Sequence, residues 1–365
     1  MGFVFSAPKN QHGDECLLHV LKGHRAGINC MAINDEGTIL VTGSEDTTAI
    51  LWSTSLDDPG CYGELVGHTE RINCVAFEDK YVFTGSADTT IRKWHCETLD
   101  CLLVIQGHTS IIQRIICAGD FIFSSSYDHT ARCWDFDSGE PLRVFRGHTR
   151  GVYPLLFRPG DEKFQQEYDE DPDILVTGSA DNTAISWDIS TGKPLNVFGG
   201  KYGHTEQITC LALDGPGDIL FTGSIDYTVR TWYLHDGGQH RVFKGHEGVI
   251  TCIQVVGSML YSGSADCTTR KWNVHKGREL GRYDGDTTRS LSSLKVIRYG
   301  DEKFVITASG DDSIRCFEDE GCKLIKEVAH DGPVTAFQVS RGALYSVGYD
   351  NNVMVWHLSR FLGID

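Results

Sequence analysis

Along most of this chain, runs of five or six β-branched and aromatic residues alternate with short corners of small and acidic residues. The stretch Tyr81-Val-Phe-Thr-Gly-Ser-Ala-Asp-Thr-Thr-Ile-Arg-Lys-Trp94 shows the pattern. Two apolar runs flank a tight corner, so the stretch predicts strand, turn and strand. The same phrase returns around Asp46 and Trp52, Asp128 and Trp134, Asp181 and Trp187, Asp226 and Trp232, Asp266 and Trp272, and Asp350 and Trp356. In each copy the Asp precedes the Trp by six positions, and these copies account for all 7 tryptophans. An eighth copy runs from Asp311 to Phe317 with Phe in the Trp position. Self-similarity at a fixed period governs the whole architecture.

A second landmark precedes each Asp. It is a Gly-His pair at His24, His68, His108, His148, His204 and His246, and Ala329-His330 in the last copy. Four of the seven His-to-Asp separations are 20 residues, two are 22, and an insertion stretches one to 33. The aromatic landmarks, Phe317 included, fall 39 to 53 residues apart. From Cys16 to His357 the chain therefore resembles the WD-repeat β-propellers, whose repeats carry Gly-His and end on Trp near a period of 40. The resemblance implies an all-β fold of four-stranded blades. Counting the Asp-to-aromatic units predicts eight blades. Seven is the more frequent number in the family, and a ring that omits the weak seventh unit is the alternative.

Cys16-Leu-Leu-His-Val-Leu-Lys22 reads as the outer strand of a blade, yet no blade precedes it. At the other end the chain stops soon after Trp356, before an outer strand could form. The two deficits match, so the N-terminal strand is expected to complete the last blade and leave no open sheet edge. The predicted organisation is a loose tail over 1–15, one propeller over 16–360 with an acidic insertion at 158–173, and a stub at 361–365. That insertion carries seven acidic residues against two basic ones and reads as a solvated loop.

Bulk composition narrows the function classes. Net charge is −17, from 33 basic and 50 acidic side chains, the opposite of a nucleic-acid footprint. The 13 cysteines contain no Cys-x-x-Cys pair. Cys30, Cys74, Cys210 and Cys252 each fall six residues after a repeat histidine, as small buried hydrophobes in a reducing compartment. There is no leader and no apolar run of membrane-spanning length, so a cytoplasmic or nuclear location is expected. Met1-Gly2-Phe3-Val4-Phe5-Ser6 fits the myristoylation pattern in form, with Phe3 counting against it. No metal and no cofactor are expected.

The repeated polar residues predict a hydrogen-bond chain. An indole only donates, a hydroxyl accepts and passes a proton on, and a neutral imidazole accepts and donates to a carboxylate. In blade two the chain would run from Trp94 through Thr84 or Ser86 and His68 to Asp88. Thr84 and Ser86 share one face of their strand, so spacing alone leaves both open. The same chain is expected through His24, Asp46 and Trp52; His108, Asp128 and Trp134; His148, Asp181 and Trp187; His204, Asp226 and Trp232; His246, Asp266 and Trp272; and His330, Asp350 and Trp356. His, Asp and Ser are also hydrolase chemistry, but a constellation repeated seven times is structural, and nothing points to an enzyme. Blade seven departs, with Asp286 near the His position and Phe317 for Trp. Two like charges at Asp286 and Asp311 would leave this blade the least stable.

In propellers resembling this one, partners usually meet the face that carries the Gly-His and Asp turns. By position, the residues there just before each turn Asp are Glu45, Ala87, Tyr127, Ala180, Ile225, Ala265, Gly310 and Tyr349. Those flanking the start of the innermost strands include Asn29, Arg71, Ile111, Tyr153, Thr209 and Thr335. Tyr349, Glu45, Arg71, Ile111, Tyr127 and Tyr153 fall in consecutive blades and hold the Tyr and Arg that dominate contact energies. They are the candidate partner-binding residues. The implied function is a non-catalytic scaffold for proteins or peptides. The alternative is the substrate receptor of a ubiquitin ligase. Against it, Trp134-Asp135 is followed by Phe136-Asp137, and Trp187-Asp188 by Ile189-Ser190, not by the Trp-Asp-x-Arg box such relatives use.

Overall fold

The computed structural model describes residues 15–160, 172–285 and 287–364. Residues 1–14 of the tail, Gly2 among them, most of the acidic insertion and Asp286 lie outside the described residues. Those described form eight four-stranded antiparallel sheets, the blades of an eight-bladed β-propeller. The seventh unit, weak in sequence, makes a full sheet from Leu291–Tyr299, Glu302–Ser309, Ser313–Glu318 and Leu324–Ala329. That settles the alternative of seven in favour of eight. The fold divides into two compact units, Met1–Val104 with Cys267–Thr269 and Arg282–Asp365, and Ile105–Asp266 with Arg270–Gly281.

Blade two shows how each repeat becomes a sheet. Its strands are Ile72–Glu78, Tyr81–Ser86, Ile91–His95 and Cys101–Ile105. The second strand is buried from Val82 to Ser86 on both faces, as its unbroken apolar run requires. The outer strand exposes Leu102 and Val104 and buries Ile105. Between second and third strands the chain turns at Asp88, whose Oδ1 accepts from Thr90 N at 2.9 Å and Thr90 Oγ1 at 2.7 Å. The residue after the Asp is left-handed in every blade, at Thr47, Thr89, His129, Asn182, Tyr227, Cys267, Asp312 and Asn351. None is glycine, and the Asx-type bonds to the preceding carboxylate hold the conformation.

Leu17–Lys22 pairs antiparallel with Asn352–His357, with Leu17 opposite Trp356 and Lys22 opposite Asn352. The N-terminal strand thus supplies the fourth strand of the sheet formed by Val334–Ser340, Ala343–Gly348 and Asn352–His357. A helix, Leu358–Leu362, follows and buries Leu358, Phe361 and Leu362 in the cluster holding Cys16, Cys316 and Val328.

Apolar surfaces meet between successive blades. In the first unit, Leu21, Tyr345 and Val355 of blade eight pack on Ile28, Leu40 and Trp52 of blade one. In the second unit, Phe123, Cys133 and Phe145 of blade three pack on Leu175, Ile185 and Trp187 of blade four. Polar latches accompany this packing. Asn29 Nδ2 donates to Ile72 O at 3.0 Å, Thr209 Oγ1 to Ile250 O, and Thr335 Oγ1 to Ile28 O at 2.7 Å. These side chains start the innermost strands and tie blade one to two, five to six and eight to one.

Candidate functional site

Seven blades contain the same buried chain of hydrogen bonds. In blade two, Trp94 Nε1 donates to Thr84 Oγ1 at 2.9 Å, His68 Nε2 lies 2.7 Å from that hydroxyl, and His68 Nδ1 lies 2.7 Å from Asp88 Oδ2. Ser86 is used elsewhere. Its Oγ donates to Glu70 O at 2.9 Å and accepts from Asp88 N at 3.0 Å, which pins the turn. The hydroxyl linking Trp and His is Thr42 in blade one, Ser124 in blade three, Thr177 in blade four, Thr222 in blade five, Ser262 in blade six and Ser346 in blade eight. The imidazoles His24, His108, His148, His204, His246 and His330 reach Asp46, Asp128, Asp181, Asp226, Asp266 and Asp350 at 2.7–2.9 Å.

Burial pushes six of these carboxyls up, those of Asp46, Asp88, Asp128, Asp181, Asp226 and Asp350, and the bonds each accepts more than reverse the effect. Asp46, held by His24, Thr48 and the Arg25 N–H, lies well below the usual carboxylate range. Asp88, Asp128, Asp181 and Asp226 do likewise, and Asp350 is also lowered. For His108, burial outweighs Asp128 and keeps the imidazole pKa below its ordinary value. The hydroxyls at the other end, such as Thr42, Thr84 and Ser124, are fully buried.

Blade seven replaces the chain with an ion pair. Asp311 meets Arg315 Nη1 at 3.0 Å, accepts from Thr288 N at 3.0 Å and bonds Ser313 Oγ. Burial, which opposes, is outweighed by these contacts, and the Asp311 carboxyl pKa is lowered. Arg315 also donates from Nε to Glu327 Oε2 at 3.1 Å. Phe317 is buried against Tyr283, ring centroids 5.6 Å apart.

The candidate contact residues fall into two groups, one per unit. In the first unit Tyr349 is 49% exposed, with its hydroxyl 3.5 Å from Glu45 Oε1. Burial, then the Glu45 charge, pushes the phenol pKa up, while the Arg71 charge opposes this. Arg71 is exposed and donates from Nε to Asn73 Oδ1 at 3.2 Å. In the second unit Tyr127 is 41% exposed and stands edge-on to Tyr153, centroids 5.1 Å apart at 78°. Burial, then the Tyr127 hydrogen bond, pushes the Tyr153 phenol pKa up. Ile111, half-buried, accepts at its carbonyl from Tyr127 N at 3.0 Å.

Two glycines complete this surface and were not among the residues the sequence singled out. A Cβ on Gly27 would lie 2.4 Å from Tyr349 Cδ1, and one on Gly151 would lie 2.9 Å from Tyr127 Cδ1. The signal was present, since glycine stands three residues after the repeat histidine in blades one and four. On the opposite face a cavity of about 450 Å³ lies between blades one and two, lined by Asp35, Glu36, Glu78, Asp79, Glu97, Lys80 and others. Among the described residues no three His, Cys, Asp or Glu side chains are placed to hold a metal ion. Nor is any described helix long and apolar enough to cross a membrane.

Eight blades, seven of them closed by Trp, hydroxyl, His and Asp, define a WD-repeat propeller. The chain belongs to the family described as WD domain, G-beta repeat, which matches residues 15–53, 59–95, 99–135, 139–188, 192–233 and 237–273. Among particular proteins, it is 42% identical over 72 residues to WD repeat-containing protein 86 of Homo sapiens, covering 20% of this chain and 19% of that protein. It is 31% identical over 102 residues to Mitochondrial division protein 1 of Saccharomyces cerevisiae, covering 23% and 14%. It is 38% identical over 82 residues to Eukaryotic translation initiation factor 3 subunit I of Homo sapiens, covering 22% and 24%. The aligned repeats thus span less than a quarter of each relative's length. A crystal structure of the computationally designed Ika8 protein superposes with a TM-score of 0.80 at 27% identity, covering 94% of this chain and 99% of that one.

Proposed function

We propose that this protein is a non-catalytic interaction scaffold that binds protein or peptide partners on the face carrying the turn aspartates. The observation that supports this most is the contrast between the two polar sets. Each His–Asp pair spends its hydrogen bonds within its own blade, as His68 and Asp88 do on Thr84, Thr69 and Thr90. Tyr127 and Tyr349, by contrast, stay 41% and 49% exposed against fixed supports. A half-exposed aromatic held by its neighbours loses little entropy on binding, the property of a contact hot spot. The partner is a protein rather than a nucleic acid, because a charge of −17 repels phosphate. No described cysteine is joined in a disulfide, which fits work in the reducing cytoplasm or nucleus.

The test compares proteins captured from cell extract by the wild type and by a Tyr127→Ala, Tyr153→Ala, Tyr349→Ala variant. Circular dichroism first establishes that the variant keeps its fold. Each lost tyrosine is expected to cost about 2 kcal/mol, roughly 30-fold in Kd. Partners held by the wild type should therefore vanish from the variant. Their identity would also separate a scaffold from a ligase receptor. An unchanged set of captured proteins would overturn the assignment to this face.

A further inference from the structure

Gly27 and Gly151 occupy the same place in their repeats, three residues after His24 and His148. Neither has the left-handed backbone that would require glycine. What excludes a side chain is a ring from the preceding blade. The nearest atoms to a Cβ on Gly27 would be Cδ1, Cε1 and Cγ of Tyr349, at 2.4, 2.8 and 3.2 Å. For Gly151 they would be Cδ1, Cα and Cε1 of Tyr127, from 2.9 to 3.5 Å. Real Cβ atoms do not approach other atoms at 2.4 Å, so the ring or the new methyl must move.

The pairing recurs in sequence. Among the residues just before a turn Asp, tyrosine occurs only at Tyr127 and Tyr349, in blades three and eight. Among the seven positions three residues after a repeat histidine, glycine occurs only in the blades that follow, four and one. Elsewhere that position carries Arg71, Ile111, Gln207, Val249 or Pro333. In three of those cases the preceding blade offers a small residue, Ala87 before Ile111, Ala180 before Gln207 and Gly310 before Pro333. Bulk on one blade is matched by its absence on the next. Tyrosine and glycine are the extreme of this complementarity.

We infer that Gly27 and Gly151 are positioning residues, which seat Tyr349 and Tyr127 in fixed poses for the partner contact proposed above. The inference rests on that reading for its functional half, while the seating itself is independent of it. With the ring against bare backbone, one edge of the phenol is fixed and the other is offered to solvent. The phenol hydroxyl of Tyr349 is held toward Glu45, and the ring of Tyr127 stands against Tyr153. Immobilising a side chain before binding removes part of the entropy loss on association.

The experiment uses the full chain with Gly27→Ala and Gly151→Ala, each made singly, and a nitrating reagent that reports tyrosine exposure peptide by peptide. Thermal unfolding checks that each variant folds. Gly151→Ala should raise the nitration rate of Tyr127 several-fold and leave Tyr349 at its wild-type rate, and Gly27→Ala should do the reverse. Unchanged rates would overturn the seating. The second readout is binding of whichever partner the wild type captures, measured as a double-mutant cycle. Gly151→Ala should weaken binding in the wild type and have no further effect in a Tyr127→Ala background. An equal loss in both backgrounds would overturn the positioning role. If Tyr127→Ala itself leaves binding intact, the contact reading fails while nitration still decides the seat.

Discussion

Asp88→Ala should destabilise the protein by about 4 kcal/mol, among the largest effects expected of any single polar substitution. The carboxylate accepts from His68 Nδ1 at 2.7 Å, Thr69 N at 3.1 Å, Thr90 N at 2.9 Å and Thr90 Oγ1 at 2.7 Å. Bonds to a charged group contribute about 1.5–3 kcal/mol each and do not add fully. Alanine also leaves a buried imidazole N–H without its acceptor, itself worth about 1–3 kcal/mol. Trp94→Phe removes one donor from Thr84 and leaves His68 and Asp88 paired, so it should cost less. Denaturant midpoints of the two variants check the order. A smaller loss for Asp88→Ala than for Trp94→Phe would show that the turn carboxylate does not anchor the blade.

Acid should unfold the protein steeply below pH 4. The pKa values of Asp46, Asp88, Asp128, Asp181, Asp226, Asp311 and Asp350 are all depressed in the folded state. For a depressed carboxyl the stabilisation is complete above the unfolded value near 4 and is lost as pH falls toward the folded one. Each contributes about 1.4 kcal/mol per pH unit in that window. Seven acting together give a slope of about 10 kcal/mol per pH unit, comparable to a whole domain's stability. His108 adds a shallower decline that begins higher. Its imidazole pKa is held below the ordinary value, so the unfolded chain gains a proton from about pH 6.5 downward before the folded chain does. Unfolding free energy measured from pH 8 to pH 3 should be flat, then gently falling, then steep. A maximum near pH 4 would contradict the depressed carboxyls.

Much of the fold is written in spacing. The interval of 20 residues from His to Asp and six from Asp to Trp fixes where two turns of one blade must meet. The apolar stretch before Gly23 has the pattern of an outer strand, and it takes that place in the last sheet beside Asn352–His357. Other features lay beyond any count of positions. Thr84 and Ser86 project from the same side of one strand, and only the nearness of Ser86 to the turn assigns it to Asp88 N and Glu70 O. Arg315 was equally hidden, because arginine also stands two residues before Trp94 and Trp134. There it lies over the indole, with Arg92 at 5.9 Å and Arg132 at 5.6 Å from the ring centre. In blade seven there is no indole to cover, and the same arginine closes on Asp311 four residues earlier. The six candidate contact residues are legible from their places in consecutive repeats. What spacing missed was that a ring on one blade requires a missing side chain on the next.

Site-specific photo-crosslinking distinguishes partner contact on the turn-bearing face from contact on the opposite one. A benzoyl-phenylalanine replaces Tyr127 or Tyr349 on that face, or Glu97 beside the opposite-face cavity, and the full-length proteins are irradiated in cell extract. Adducts to the same partner from positions 127 or 349, with none from 97, are the predicted result. Adducts from 97 alone would place the contact on the opposite face and contradict the account.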